Sequence, residues 1–227
     1  MRSFTVIDVP QRSPEWFAAR LGRLSGSCAG DMLAKIKTGE AAGRRNLRLR
    51  LVLERLTNRS QESDFVSPAM QTGIDREAEA FSAFESLTGS VAIRTGFLSH
   101  NDYLAGASLD GHTGNFETLL SIKCRQPAAH LDFLKSGTIP ASALAQMRHE
   151  LWVTGADLHE YFSWNPDYPP ALQSRVVALK RKDAEIPAYE DAALAFLEEC
   201  DREVLAIQTL TDVSSVLHRV QEQAHAV

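Results

Sequence analysis

The sequence predicts an α/β fold, a mixed central β-sheet flanked by helices. Three observations predict it. Apolar runs at residues 91–98, 104–109 and 116–124 follow one another as a three-strand meander, with the turn-forming stretch "DGHTGN" between the last two. Two more strand-like runs, "HEYFSW" and "RVVALKR", come only after two helical segments, which suits a mixed sheet better than a plain meander. Helical periodicity precedes and follows all five runs.

Taken in order, the first helix opens at Ser13-Pro14-Glu15. Serine can cap the first turn, proline suits the first helical position, and glutamate suits the positive end of the helix. This helix carries Trp16 and Phe17 and ends near Gly22. A short helix is expected over residues 26–36. "TGEAAGRR" then reads as a mobile loop, because glycine interrupts it twice. "RRNLRLRLVLERLTNR" spaces Leu47, Leu51 and Leu56 at helical intervals, with arginines around the other face. The next helix is expected from Thr72 to a glycine stop at Gly89. Beyond the meander, helices are expected over residues 127–135 and 140–154. A long helix follows over 186–209, and "VSSVLHRVQEQAHAV" reads as a short helix with a loose end.

With 227 residues, 44% of them hydrophobic, the chain can bury a sizeable core. No run of about 18 apolar residues predicts a transmembrane helix. The start, "MRSFTVIDVPQRSPEW", lacks a signal peptide's apolar stretch, which predicts an intracellular protein. Cys28, Cys124 and Cys200 are odd in number and far apart, so they suggest neither a disulfide framework nor a metal-spaced cluster. The net charge of −5 hides a split. Residues 1–60 hold 12 of the 24 Lys and Arg but only 5 of the 29 Asp and Glu, which predicts a basic surface joined to an acidic body.

Strand alternation puts Glu117, Leu119, Ser121 and Lys123 on one face, with Leu120, Ile122 and Cys124 on the other. Asp110, just before the turn, can reach the first face. A carboxylate there can hold a hard divalent cation. The lysine ammonium can orient or deprotonate a water, or stabilise charge developing on a phosphate. Taken alone, the two residues read more readily as a turn aspartate and a solvated lysine.

Five stretches raise the pair above that reading: "PEWFAARLGRLSGSCAGDML", "TGIDREAEAFSAFESLTG", "GASLDG", "LLSIKCRQP" and "LAQMRHELWVTG". In this order they resemble the phage lambda exonuclease family, also called the YqaJ-like viral recombinases, within the restriction-endonuclease-like nuclease superfamily. The resemblance runs over residues 14–164. It implies a restriction-endonuclease-like core in a single nuclease domain over residues 1–227. Residues 1–60 would form a basic helical part and residues 67–210 the catalytic core. The implied activity is magnesium-dependent 5′-to-3′ digestion of linear double-stranded DNA to mononucleotides, leaving a 3′ single strand. Two Mg2+ ions per site are implied, with Mn2+ as an alternative. The implied assembly is a homotrimer ring around DNA, the implied partner a single-strand annealing protein, and the implied location the cytoplasm of a bacterial host cell.

Position by position, the resemblance implies Glu77 and Asp110 as metal ligands, joined by the backbone carbonyl of Ile122. Lys123 would act on the water, supported by Gln146, while Arg20 and Ser27 match the segment that takes the 5′-phosphate. The arginines from Arg44 to Arg59, Arg45 among them, are candidates to track the DNA backbone.

One position departs from the family. Where it carries a metal-binding glutamate, this chain has Ser121, which is neutral and short. Glu117 shares the face but lies about 13 Å along the strand, too far to substitute. An inactive or impaired enzyme is expected. An engineered variant is the preferred explanation, beside a naturally degenerate nuclease and a relocated ligand. The alternative functions are a catalytically silent DNA-end-binding protein and an endonuclease of the same superfamily. Of the remaining candidates, Trp16 is expected in the core and His112 as an exposed imidazole on the turn. His149 is placed near the site with no assigned role, and Arg125 ranks behind Lys123.

Overall fold

In the computed structural model, which describes residues 2–61 and 67–224, local sequence signals set most element boundaries. Strand β1 is Phe4–Ile7 and helix α1 is Pro14–Arg20, capped by the Ser13 hydroxyl, which accepts from the Trp16 N–H. Strand β2 (Leu24–Ser25) leads through one 3₁₀ turn, Gly26–Cys28, into α2 (Ala29–Met32). Helix α3 is Ala42–Thr57, α4 Pro68–Asp75 and α5 Glu77–Thr88. The strands β3 (Phe97–His100), β4 (Ala105–Ser108), β5 (Gly111–Thr113) and β6 (Thr118–Cys124) follow. Then come α6 (Pro127–Ser136), α7 (Ala141–Thr154), β7 (Leu158–Trp164), β8 (Ser174–Lys180) and α8 (Ile186–Ala224).

The sheet is mixed, as expected, but it is divided in two. One four-stranded sheet runs β1-β3-β4-β2 and the other β5-β6-β7-β8. In each, one pair is parallel, β2 with β4 and β6 with β7, and the other pairs are antiparallel. The parallel β6–β7 pair needs a long crossover, and α6 and α7 supply it. The chain leaves the first sheet at Ser108 and enters the second at Gly111, so Leu109 and Asp110 bridge the two.

Several expected boundaries move. The strand expected over residues 91–98 is reduced to Phe97–His100, preceded by a lone bridge from Ile93 to His112. A Cβ at Gly96 would lie 2.2 Å from the Ile7 carbonyl oxygen, so the chain passes hard against the end of β1 there. "GHT" is strand rather than turn, and the hairpin turn falls on residues 114–117. The helix expected from Thr72 is two helices broken at Arg76, which leaves Glu77 at the start of α5; Gly89 does stop it, at φ 69°. Helix α3 begins at Ala42, inside the expected loop. The separate terminal helix is instead a continuation of α8; residues 225–227 lie outside the described chain.

Both faces of β6 and β7 are covered. Phe81 and Phe84 of α5 pack with Leu120, Ile122, Phe162 and Trp164 on one face. On the other, Phe133 of α6 and Met147 of α7 pack with Tyr161, while Leu119 joins the main core with Leu151 of α7 and Phe196 of α8. No helix among the described residues is long and apolar enough to cross a membrane.

His149, to which the sequence assigns no role, is a core residue at 0% exposure. The Gly106 carbonyl, 2.9 Å from Nε2, can only accept, so Nε2 carries the proton and Nδ1 accepts from the Tyr189 hydroxyl at 2.8 Å. Burial lowers its pKa from 6.5 to about 4. The unfolded chain therefore binds a proton between these values that the folded chain refuses. The stability from this neutral imidazole is complete above about pH 6.5 and is lost as pH falls towards 4, by on the order of 3 kcal/mol. Urea unfolding at pH 7 and pH 4.5 should show the drop, and His149→Gln should flatten the part of it due to this group.

Candidate active site

Asp110 stands at the junction of the sheets because β4 and β5 belong to different ones. Its Oδ2 accepts the Ile122 backbone N–H at 2.7 Å and lies 3.2 Å from Lys123 Nζ. The hairpin register, Gly111 opposite Leu120, carries Asp110 alongside Ser121 and its carboxylate within reach of the Ile122 N–H. The lysine at the end of an apolar strand thus faces the aspartate directly. Burial works against the charged form of Lys123, but the Asp110 and Glu150 carboxylates outweigh it and leave its pKa above the ordinary lysine value. Lys123 is therefore an ammonium that donates hydrogen bonds, not a neutral amine ready to accept a proton.

Glu77, Asp110, Ile122, Lys123, Gln146 and Ser27 all line one cleft of about 570 Å³. Helix α5 delivers Glu77 because its aromatic face docks on Ile122, and α7 delivers Gln146 from the opposite face of the same strand. A second lobe of about 630 Å³ shares Arg12, Glu77 and Asp110 with the first and continues past Gln11 and Arg94. The two carboxylates stand where the lobes meet. Arg94 pairs with Glu77 at 3.5 Å and stacks over the Phe81 ring. Cys124 also borders the cleft, but burial, reinforced by the Glu77 charge, raises its thiol to about 11. It is protonated at neutral pH and is a poor nucleophile.

The donors fit an oxygen-seeking cation in kind. Two carboxylates and the strand carbonyl at Ile122 suit Mg2+ or Mn2+. In number they fall short. Ser121, at the position of the expected acid, is a neutral side chain 3% exposed. Among the described residues no three acids, histidines or cysteines are already gathered as a metal cage. Glu117 lies in the hairpin turn against Gly114 and does not border the cleft.

Arg20 and Ser27, read from the "RLG…S" segment, are brought together through Ser25, a residue the sequence did not single out. Arg20 donates to Ser25 Oγ at 3.4 Å and to Ser108 Oγ at 3.2 Å, and Ser25 Oγ lies 3.2 Å from Ser27 Oγ. The guanidinium stacks on Trp16, 4.1 Å from the ring centroid, and Trp16 itself is buried as expected.

The basic surface of residues 44–59 is largely spent within the chain. Arg44 makes a two-pronged pair with Glu199 at 2.8 and 2.9 Å and a further one with Glu40. Arg48 pairs with Glu40 and Glu203, and Arg55 with Asp201. These pairs fasten α3 to α8. A groove of about 820 Å³ beside them is larger than the cleft, but Arg44 and Arg48 on its wall are already paired, and it holds none of the candidate catalytic or metal-binding residues. Arg45 is exposed on α3, makes no ion pair among the described residues and lies outside the cleft.

His112 is not the exposed imidazole expected. It is buried in β5 and stacks on Phe116 with ring centroids 3.7 Å apart. His149 does not reach the cleft. Arg125 does, beside Lys123, and donates to the Tyr161 hydroxyl at 3.3 Å. Arg12, which no sequence signal marks, borders both lobes with a left-handed backbone at φ 70°, a conformation that clusters at functional sites when a non-glycine residue adopts it.

No curated protein matches the chain by sequence. Among solved structures, it is similar to an alkaline exonuclease (LHK-Exo) from Laribacter hongkongensis, with a TM-score of 0.79 at 29% identity over 88% of this chain and 98% of that one. The structure of LHK-Exo in complex with dAMP matches at 30% identity and the same TM-score and coverage. A phage-related exonuclease from Haemophilus somnus 129PT shares the fold, with a TM-score of 0.62 at 12% identity over 82% of this chain and 96% of that one. The fold is thus that of an alkaline exonuclease, and it supports a nuclease role. The YqaJ-like viral recombinase domain matches residues 15–157, more than half of the chain. The chain belongs to the YqaJ-like viral recombinase family.

Proposed function

We propose that the chain is a metal-dependent deoxyribonuclease that digests linear double-stranded DNA from its 5′ ends to mononucleotides, leaving a 3′ single strand for annealing. The observation that carries the reading is the 3.2 Å approach of Asp110 and Lys123 in the cleft that also holds Glu77 and Gln146. The dAMP bound to the similar alkaline exonuclease supports a site sized for a nucleoside monophosphate. Asp110, Glu77 and the Ile122 carbonyl would hold Mg2+, or Mn2+ in its place. When bound, the metal would neutralise phosphate charge and make a water acidic enough to attack at neutral pH. The Lys123 ammonium donates to the water or to a phosphate oxygen and so fixes the line of approach. The Gln146 amide holds the opposite wall, with its NH2 committed to Glu150 at 2.8 Å. The Arg20 fork, steadied by Trp16, and the Ser27 hydroxyl would take the terminal 5′-phosphate.

Processive digestion by this reading uses a homotrimer ring around the DNA and hands the 3′ strand to a single-strand annealing protein in the bacterial cytoplasm. Ser121 favours a second reading, a catalytically silent DNA-end binder, unless another acid supplies the missing charge. Incubation with Mg2+ and matched linear and circular duplexes separates the readings. Mononucleotide release from linear DNA alone is expected. Nicking of circles would mean an endonuclease, and end binding without release a silent binder. In the same assay Arg20→Ala should remove most of the preference for 5′-phosphorylated over 5′-hydroxyl ends, by roughly tenfold.

A further inference from the structure

Ser121 leaves a charge missing, and a buried acid lies near Lys123 of the same strand. Glu150 of α7 is 1% exposed, one helical turn beyond Gln146. Its Oε1 accepts from Gln146 Nε2 at 2.8 Å, and its Oε2 lies 2.5 Å from Nε2 of the fully buried His159. Strand register places its partner His159 on the same face as Ser121. In the parallel pair, Leu119 is opposite His159 and Ser121 opposite Tyr161, so these four side chains share the face that α7 covers. Met147 of α7 packs on Tyr161, opposite Ser121, and Glu150 bonds to His159, opposite Leu119, so the carboxylate lies one strand step from Ser121 on the same face. Oε1 also reaches the Gly26 turn, where a Cβ would stand 3.1 Å away, one residue before Ser27 on the cleft wall. The carboxylate therefore sits between Gln146, Gly26 and the Ser121 strip, immediately behind the cleft lining.

We propose that Glu150, reaching down from helix α7, supplies the acidic metal ligand that strand position 121 lacks, so that Ser121 marks a relocated acid and not a dead enzyme. The assignment rests on the nuclease reading above. A buried carboxyl group that only braces a helix would cost the fold its desolvation. One with an oxygen shared by the amide of Gln146, which borders the cleft, can turn about its own side-chain bonds towards a cation beside Asp110 and Glu77. A serine at 121 is what such a relocation requires, because a second carboxylate on that strip would force two like charges together in a buried space.

The test measures Mn2+ binding to the full-length chain by electron paramagnetic resonance, alongside DNA digestion. Glu150→Gln, which keeps the size and loses the charge, should weaken Mn2+ binding at least about tenfold and lower digestion with it. Adding Ser121→Glu to Glu150→Gln should restore both, because it returns the acid to the strand. Mn2+ binding by Glu150→Gln equal to that of the unsubstituted chain would overturn the assignment, even if digestion fell. So would failure of the double substitution to recover binding. If the unsubstituted chain neither bound Mn2+ nor cut DNA, the nuclease reading would fall together with this one. Should Glu150→Gln not fold, anomalous scattering from Mn2+ in crystals of the unsubstituted chain decides the matter. A Glu150 oxygen among the ligands is expected, whereas Mn2+ held by Asp110 and Glu77 with Glu150 still on His159 overturns the proposal.

Discussion

Asp110→Asn is expected to lower digestion of linear duplex DNA by roughly 10³-fold or more, with the fold retained. Asparagine is nearly isosteric, and its side-chain oxygen can still accept the Ile122 N–H that Asp110 accepts at 2.7 Å. What it loses is the negative charge, and that charge does two things at once. It is one of the two carboxylates at the meeting point of the cleft's lobes, and removing it halves the anionic ligands that Glu77 and Asp110 offer a cation. It also faces the Lys123 ammonium at 3.2 Å and helps to keep that group charged and pointed into the cleft. Losing about 4 kcal/mol of transition-state stabilisation corresponds to about 10³ in rate. The stability cost should be near 1 kcal/mol or less, since the pair is only partly buried. Rates with Mg2+ and circular dichroism melting on the same preparation check both halves. A variant that retained more than about a tenth of the rate would remove Asp110 from the chemistry.

Gly106→Ala should be the most damaging single methyl in the first sheet. Gly106 lies in β4, paired with Ser99 of β3 on one side and Ser25 of β2 on the other. Its added Cβ would stand 2.2 Å from Phe97 Cζ and 2.5 Å from the Leu98 carbonyl oxygen. The Phe97 ring is fully buried and has nowhere to go, and the Leu98 oxygen is backbone in the same sheet. The strands must separate or the ring must leave its rotamer, a cost of about 3 kcal/mol. For a chain of this length that corresponds to a fall in Tm of roughly 10 °C. The damage should reach the site, because β4 carries Ser108, which accepts from Arg20, and then Asp110. The Gly106 carbonyl also holds His149, so the pH dependence of stability should change in the same variant. Urea titrations measure the loss. A change below about 1 kcal/mol would mean that the sheet yields more easily than its contacts indicate.

The Asp110–Lys123 pair is legible in the sequence because it is a local matter. A hairpin of known alternation joins the two residues, and period-2 geometry decides which side chains share a face whatever surrounds them. Helix α1 is legible for the same reason, since Ser13, Pro14 and Gly22 punctuate it within one stretch of chain. Glu77 and Gln146 are another matter. Nothing in α5 or α7 sets them apart from other polar helix residues, and only the family likeness singles them out. They line the cleft because aromatic packing docks one helix on each face of β6.

Where sequence and structure differ, the deciding partner is far away in the chain. Strand β1 is four residues long and exists because residues 97–100 pair with it. The arginines of α3 resemble a DNA-tracking surface, yet Arg44 is tied to Glu199, 155 residues on, and Arg48 and Arg55 to other acids of α8. His112 falls in a stretch of turn-forming residues and is buried because Phe116 and the Ile93 bridge cover it.

By itself the sequence determined the α/β class, most helix limits, the acid–lysine hairpin and the absence of a carboxylate at 121, because each of these follows from spacing or identity along a short run of chain. The tertiary structure decided the division into two sheets, the gathering of distant elements around one cleft, the internal pairing of the basic helix and the placing of Glu150 between Gln146 and His159. These depend on which distant surfaces bury one another. Burial is a property of the folded whole, and no window of the chain contains it.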